Sequence, residues 1–195
     1  MFILATRTQL FFWTLLIFSP AIFSEWKLVN EDSKFHFLSI KASDIAEIHT
    51  FRELSGSVKE NGEAEIIINI ASLETLIPIR NERMNNLLFE TEIFPKAIFK
   101  FDIDIENTLL IKDGESSDLI FRGELDFKGK KFSIPIHLSV TRLNKSSFLV
   151  SSFKPVLLNA DRLGLSNGIE SLRAIAGLPS ISKSVPVTFS LTFRK

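Results

Sequence analysis

The sequence predicts an all-β protein, an antiparallel β-barrel of about eight strands with one or two short helices. Three observations predict it. Apolar and polar residues alternate at period two through most of the chain. Gly-containing turn pairs separate the runs, and no helices alternate with the strands as a parallel sheet would require.

In chain order, residues 1–24 read as an address rather than as part of the fold. Arg7 gives a positive start, Leu10 to Phe18 is apolar apart from Thr14, Pro20 breaks the run, and the small residues Ala21 and Ser24 follow. That order describes a secretory signal peptide, cut after Ser24 or, as the alternative, after Ala21. A membrane span needs about 20 apolar residues, which this interrupted run does not reach. Removing it leaves residues 25–195 as one domain with 22 basic and 23 acidic residues, a net charge of −1. The expected location is the periplasm.

Phe35 and Phe37 mark an early strand, and a weaker one is expected from Ile48 to Val58. Glu65 to Ala71 carries Ile66, Ile67, Ile68 and Ile70 as a nearly continuous apolar strand. From Ala97 to Ile105, Phe99, Phe101, Ile103 and Ile105 share one face, with Lys100, Asp102 and Asp104 opposite. Leu119, Phe121, Leu125 and Phe127 alternate with Arg122, Glu124 and Asp126, and Phe132, Ile134, Ile136, Leu138 and Val140 alternate with Ser133, His137 and Ser139. Ser147 to Phe153 is a further strand, and Val185 to Phe193 closes the set. Turn signals stand at Asn61-Gly62, Asp113-Gly114 and Lys128-Gly129, the last predicting a tight hairpin. Two segments have helical spacing instead: Asn81 to Glu90, and Gly168 to Ala176 before Gly177.

Closing about eight strands removes their exposed edges. The interior of such a barrel is either just filled by side chains or able to hold one small ligand. Composition is compatible with both, since 19 Phe, 2 Trp and no Tyr supply bulk without phenolic hydroxyls. Net charge is zero and no basic block stands out, which argues against nucleic acid as a partner. Cysteine is absent, so disulfides, thiolate metal sites and cysteine nucleophiles are excluded.

The catalytic motifs fail in context. Gly164-Leu165-Ser166-Asn167-Gly168 matches G-x-S-x-G, but that elbow needs a strand before it and a histidine after it. The last of the three histidines, His137, precedes Ser166, so the segment is read as a turn capping the following helix. His36, His49 and His137 lack metal-ligand spacing, and no metal or cofactor is expected. Asp102, Asp104 and Glu106 read as a solvated stripe, and Asn144-Lys145-Ser146 fits a glycosylation sequon.

Several stretches together resemble the YceI-like, polyisoprenoid-binding, lipocalin-like periplasmic proteins. They are Ala71-Ser72-Leu73-Glu74-Thr75, Arg80 to Met84 with Leu88-Phe89, Phe94-Pro95 with Ala97 and Phe99, and Gly123, Leu125, Gly129 and Pro135. The resemblance spans Trp26 to Phe193 and departs at two places. His49 stands where the family has glycine two residues before the phenylalanine of the second strand, and the family's arginine-serine-aspartate-phenylalanine-glycine step is reduced to Asp161-Arg162-Leu163-Gly164.

What the resemblance implies is a binding or carrier protein, not an enzyme, holding a long-chain isoprenoid such as a polyprenyl or quinone tail in a lipocalin-like barrel. Each buried methylene contributes about 0.8 kcal/mol, so several isoprene units give on the order of 10 kcal/mol gross. Ordering and association costs consume much of this, leaving releasable binding. The residues expected to line the cavity are Phe99, Phe101, Ile103, Phe121, Leu125, Ile134, Ile136, Val187, Phe189 and Leu191. Two other functions compete. A filled barrel would serve as a non-catalytic module docking on a membrane or membrane-bound partner, or as a dimer; an enzyme acting on lipid would need a catalytic set not visible here.

Overall fold

A computed structural model describes residues 25–195; the expected signal segment, residues 1–24, lies outside the described residues. The chain forms β1 (Trp26–Lys41), β2 (Ile45–Phe51), β3 (Leu54–Val58), β4 (Glu63–Asn69), β5 (Leu73–Glu74), β6 (Lys96–Asp102), β7 (Ser116–Phe127), β8 (Lys130–Asn144), β9 (Ser147–Ser152), β10 (Val156–Asn159) and β11 (Ser184–Arg194). Three short helices interrupt them: α1 (Pro78–Arg83), α2 (Ile105–Leu109) and α3 (Ser166–Ile175). Directly after α1 the backbone widens into π-helical turns over Met84–Phe89.

Eight strands close into an antiparallel barrel in the order β1-β3-β4-β6-β7-β8-β9-β11, with β11 returning to β1. The remaining three extend one end of it, here called the upper end. β2 pairs with the second half of β1, β5 continues beyond β2, and β10 pairs with the first half of β11. Trp26, Phe148 and Phe193 mark the lower end, where Trp26 pairs with Val58 and its ring meets Phe148 edge-on at 6.2 Å.

One strand must therefore change partners along its length. β1 does so through a bulge: between Val29 and Lys34 it advances five residues while β11 advances only from Thr192 to Ser190. The polar residues in that insertion replace the missing ladder bonds. The Ser33 hydroxyl donates to Val29 O at 2.7 Å and accepts from the Thr192 N–H at 3.1 Å, while Asn30 Oδ1 accepts from the Leu54 N–H at 2.7 Å.

The β7–β8 hairpin forms as the sequence predicts. Phe127 pairs with Lys130, leaving Lys128 and Gly129 as a two-residue turn with φ of 51° and 70°, the geometry of a type I′ turn. Gly123 interrupts the apolar series of β7 for a steric reason. It is buried and faces Phe99, whose ring occupies the space a side chain would need.

Several expectations are corrected. The strand expected through Ile105 ends at Asp102, because Asp104 turns to cap a helix, its carboxylate accepting from the Asn107 N–H at 3.0 Å. The acidic series Asp102, Asp104 and Glu106 is consequently not one strand face. The single strand expected from Ile48 to Val58 splits at Arg52-Glu53, which lets both Phe51 and Leu54 point inward. The helix expected from Asn81 begins at Pro78, a residue suited to the first turn. β5 and β10 are too short to have announced themselves. Among the described residues no helix is long and apolar enough to cross a membrane.

Candidate lipid cavity

The barrel interior holds two neighbouring chambers. The lower has a volume of about 130 Å³ and is walled by hydrophobic side chains, Thr108 alone excepted. The Thr108 hydroxyl is already engaged, donating to Asp104 O at 2.7 Å. The upper chamber has a volume of about 360 Å³ and lies among β1, β2, α1, the Met84–Phe89 turns and α3. Phe35, Ile68, Leu125, Leu158 and Val187 line both chambers and form the waist between them.

The structure places all ten sequence-derived cavity residues on the wall of the lower chamber: Phe99, Phe101, Ile103, Phe121, Leu125, Ile134, Ile136, Val187, Phe189 and Leu191. Only Leu125 and Val187 also reach the upper chamber. Ile136, Val187 and Leu191 are buried, whereas Phe99, Phe101, Phe121, Ile134 and Phe189 face inward yet remain only partly covered. These partly covered rings border the open space of the lower chamber.

Aromatic contacts form two series along this lumen. Phe101 lies 5.4 Å from Phe99 and 5.6 Å from Phe121 between ring centroids. Phe35 stacks on Phe189 at 6.4 Å and reaches Phe51 at 6.0 Å, and Phe51 continues the series to Phe37 and Phe89. Such pairs add to the area they bury, and they line a continuous apolar path from one chamber to the other.

Sequence reasoning missed the upper chamber almost entirely. Its walls come from α3, the Met84–Phe89 turns and the second half of β1, so no single periodicity reports it. Gly168 seats α3 against those turns: a Cβ there would lie 2.6 Å from Leu87 O and 2.7 Å from Leu88 Cα. Ile77, Ile79 and Ile175 line this chamber while being 44%, 50% and 49% exposed, so the chamber reaches the surface between α1 and α3.

The upper chamber also carries the polar groups. Glu47 accepts from Lys41 Nζ at 3.0 Å and from Arg80 at 2.7 Å, and Arg80 also donates to Thr75 O at 2.6 Å. Burial opposes the ionisation of Glu47, but these two cations outweigh it and hold the carboxyl below its ordinary pKa. His49, 2% exposed, is linked through Nε2 to Ser39 Oγ at 2.8 Å and rests 5.2 Å from the Phe37 ring.

Around Ser166 the geometry is that of a brace. Its hydroxyl donates to the Asp161 carboxylate, which also accepts from Lys183 Nζ at 3.0 Å. Those hydrogen bonds hold Asp161 below its ordinary pKa, the Ser166 bond first. Asp161 thus anchors the start of α3, and no histidine is among the partners of Ser166.

Comparison with known proteins agrees with this architecture. The sequence profile of the YceI-like domain matches residues 26–193. A polyisoprenoid-binding domain from Saccharophagus degradans, implicated in plant cell wall breakdown, is 34% identical with a TM-score of 0.85, covering 87% of this chain and 97% of its own. BcnA of Burkholderia cenocepacia is 17% identical with a TM-score of 0.66, covering 85% of this chain and 98% of its own. The Campylobacter jejuni YCEI protein is 12% identical with a TM-score of 0.56, over 75% of this chain and 84% of its own. The last two bear on the fold alone. No curated protein sequence matches significantly. With a matching profile across nearly all of the described chain, and a barrel in common with these structures, the chain belongs to the YceI-like domain family.

Proposed function

We propose that this protein is a non-catalytic binding protein for a long-chain isoprenoid or related lipid, which it carries in the barrel lumen. The observation that carries the reading is the pair of adjoining chambers, whose lower part is walled almost wholly by apolar side chains. Their combined volume falls within the roughly 300–1,000 Å³ of small-molecule pockets. The similar Saccharophagus degradans domain is a polyisoprenoid-binding one, which supports the same class of ligand here. The ten lower-chamber residues are then contacts for the chain of the ligand. The exposed isoleucines at the upper opening suit passage of a lipid between a membrane surface and the lumen. The character of residues 1–24 supports export to the periplasm, where such a carrier would work.

The test is direct. The purified protein is extracted with organic solvent and the extract examined by mass spectrometry for an isoprenoid. In parallel, a fluorescent lipid probe is displaced by added polyprenol or quinone. A co-purifying isoprenoid and competitive displacement are expected; repeated empty extracts with no displacement would sink the proposal.

A further inference from the structure

The sheet around the lower chamber is interrupted on one side. β6 pairs with β7 only where Ile98 meets Asp126, Phe99 meets Leu125 and Lys100 meets Glu124. From Gly123 back to Ser116, β7 keeps β8 on one side and, among the described residues, has no strand on the other. Phe101 and Asp102 likewise keep β4 but find no partner on β7. With no ladder bonds here, side chains complete the wall. Phe101 meets Phe121 at 5.6 Å, and it borders both the chamber and an outer groove that holds Lys100 and Arg122.

The gap is covered by the connection from β6 to β7, whose α2 residues Ile105, Thr108 and Leu109 line the chamber. Both ends of this strap are fixed. The Ile103 N–H donates to Gly62 O at 2.9 Å, and the Gly114 N–H donates to Arg142 O at 2.7 Å. Between these anchors, among the described residues, one group supplies every hydrogen bond joining residues 104–112 to the strands. Arg142 Nη1, on β8, donates to Leu109 O at 2.7 Å and to Ile111 O at 3.1 Å. Other polar groups of the strap satisfy one another. Asp104 accepts from the Asn107 N–H at 3.0 Å, and the Thr108 hydroxyl donates to Asp104 O at 2.7 Å. Lifting α2 therefore breaks the bonds of one guanidinium and some apolar contacts, but no strand pairing. Arg142 has its own supports, the Phe148 ring at 5.7 Å and the Asp113 carboxylate at 3.1 Å.

Resting on the lipid-binding function proposed above, we infer that this strap is a gate and Arg142 its latch. Released from Arg142, α2 swings about Ile103 and Gly114 and opens a lateral portal into the lower chamber between β6 and β7. The lumen then has an opening at each chamber, and the end of a lipid chain passes the portal without crossing the waist.

The chain has no cysteine, so a single introduced thiol reports the opening. Val140 lines only the lower of the two chambers, and Val185 only the upper. Val140→Cys and Val185→Cys are each labelled with a polar maleimide, with Arg142 intact and with Arg142→Gln. Loss of the latch is expected to speed labelling at position 140 by about tenfold, and at 185 by about twofold or less. Equal acceleration at both marks loosening of the whole fold and overturns the gate, as does no change at either. Should Arg142→Gln fail to fold, labelling of Val140→Cys with Arg142 intact decides. A local opening exposes little surface, so its rate should stay nearly constant in dilute urea; a rate rising as steeply as global unfolding overturns the gate. Passage of lipid is read separately, by chasing bound anthraniloyl farnesol with excess farnesol. Arg142→Gln should quicken release by about tenfold with affinity within about threefold, and faster labelling without faster release overturns the portal. A probe that binds neither protein overturns the lipid-binding reading, while the labelling still decides the gate.

Discussion

The ring of Phe99 lies across Gly123 on the neighbouring strand: a Cβ at position 123 would stand 2.2 Å from Phe99 Cζ and 2.7 Å from Lys100 O. The glycine is therefore a packing requirement of the lower chamber, where Phe99 forms part of the wall. Gly123→Ala should destabilise the fold by about 2 kcal/mol, read as a lowered urea midpoint. Adding Phe99→Leu should restore only part of the loss, since the backbone oxygen of Lys100 stays in the way. A neutral single variant would show that β6 and β7 are farther apart than described.

Val187 stands at the waist, paired with Phe37 on one side and Val156 on the other. Val187→Phe should narrow the passage between the chambers. Binding of a long polyprenol is expected to weaken by about tenfold, with farnesol affected by about threefold or less. Equal losses for the two would mean that the ligand does not thread the waist.

Burial of its imidazole pushes His49 from 6.5 down to about 4; the nearby Arg80 charge, and more weakly Lys41, act the same way, while Glu47 opposes them. Because the folded-state pKa lies below the unfolded one, the unfolded chain binds the extra proton between about pH 6.5 and 4. The stability associated with a neutral His49 is then complete above pH 6.5 and is lost as pH falls toward 4. The shift corresponds to roughly 3 kcal/mol. Urea unfolding of the native protein and His49→Phe across this window checks it. The native protein should lose about 2 kcal/mol more than the variant on going from pH 7 to pH 4; parallel curves would place His49 in water.

Gly168 permits α3 to touch the backbone of Leu87 and Leu88. Alanine favours a helix interior by up to about 1 kcal/mol over glycine, yet the contact it would force is with backbone. Gly168→Ala should therefore cost about 1–2 kcal/mol net. Hydrogen exchange is expected to accelerate in α3 and over Met84–Phe89, with the barrel strands unaffected. A stabilised variant would mean that α3 sits more loosely over the chamber.

The sequence by itself determined which residues of several strands share the inward face, because inward and outward side chains alternate residue by residue along a strand and need no knowledge of its neighbours. Phe99, Phe101 and Ile103 share a face whatever lies across from them, and the Lys128-Gly129 turn pairs β7 with β8 locally. Where a local rule met a competing one it misled: Ile105 keeps the alternation, but Asp104 caps a helix. What only the tertiary structure decided is the upper chamber and its polar wall. His49 lies on β2, Arg80 on α1 and Gly168 on α3, and each takes its role from a partner distant in sequence. A buried imidazole beside an apolar ring looks, in sequence, like any histidine in a strand. Its unpaired nitrogen exists only once β1, β2 and α1 have closed around it and removed water.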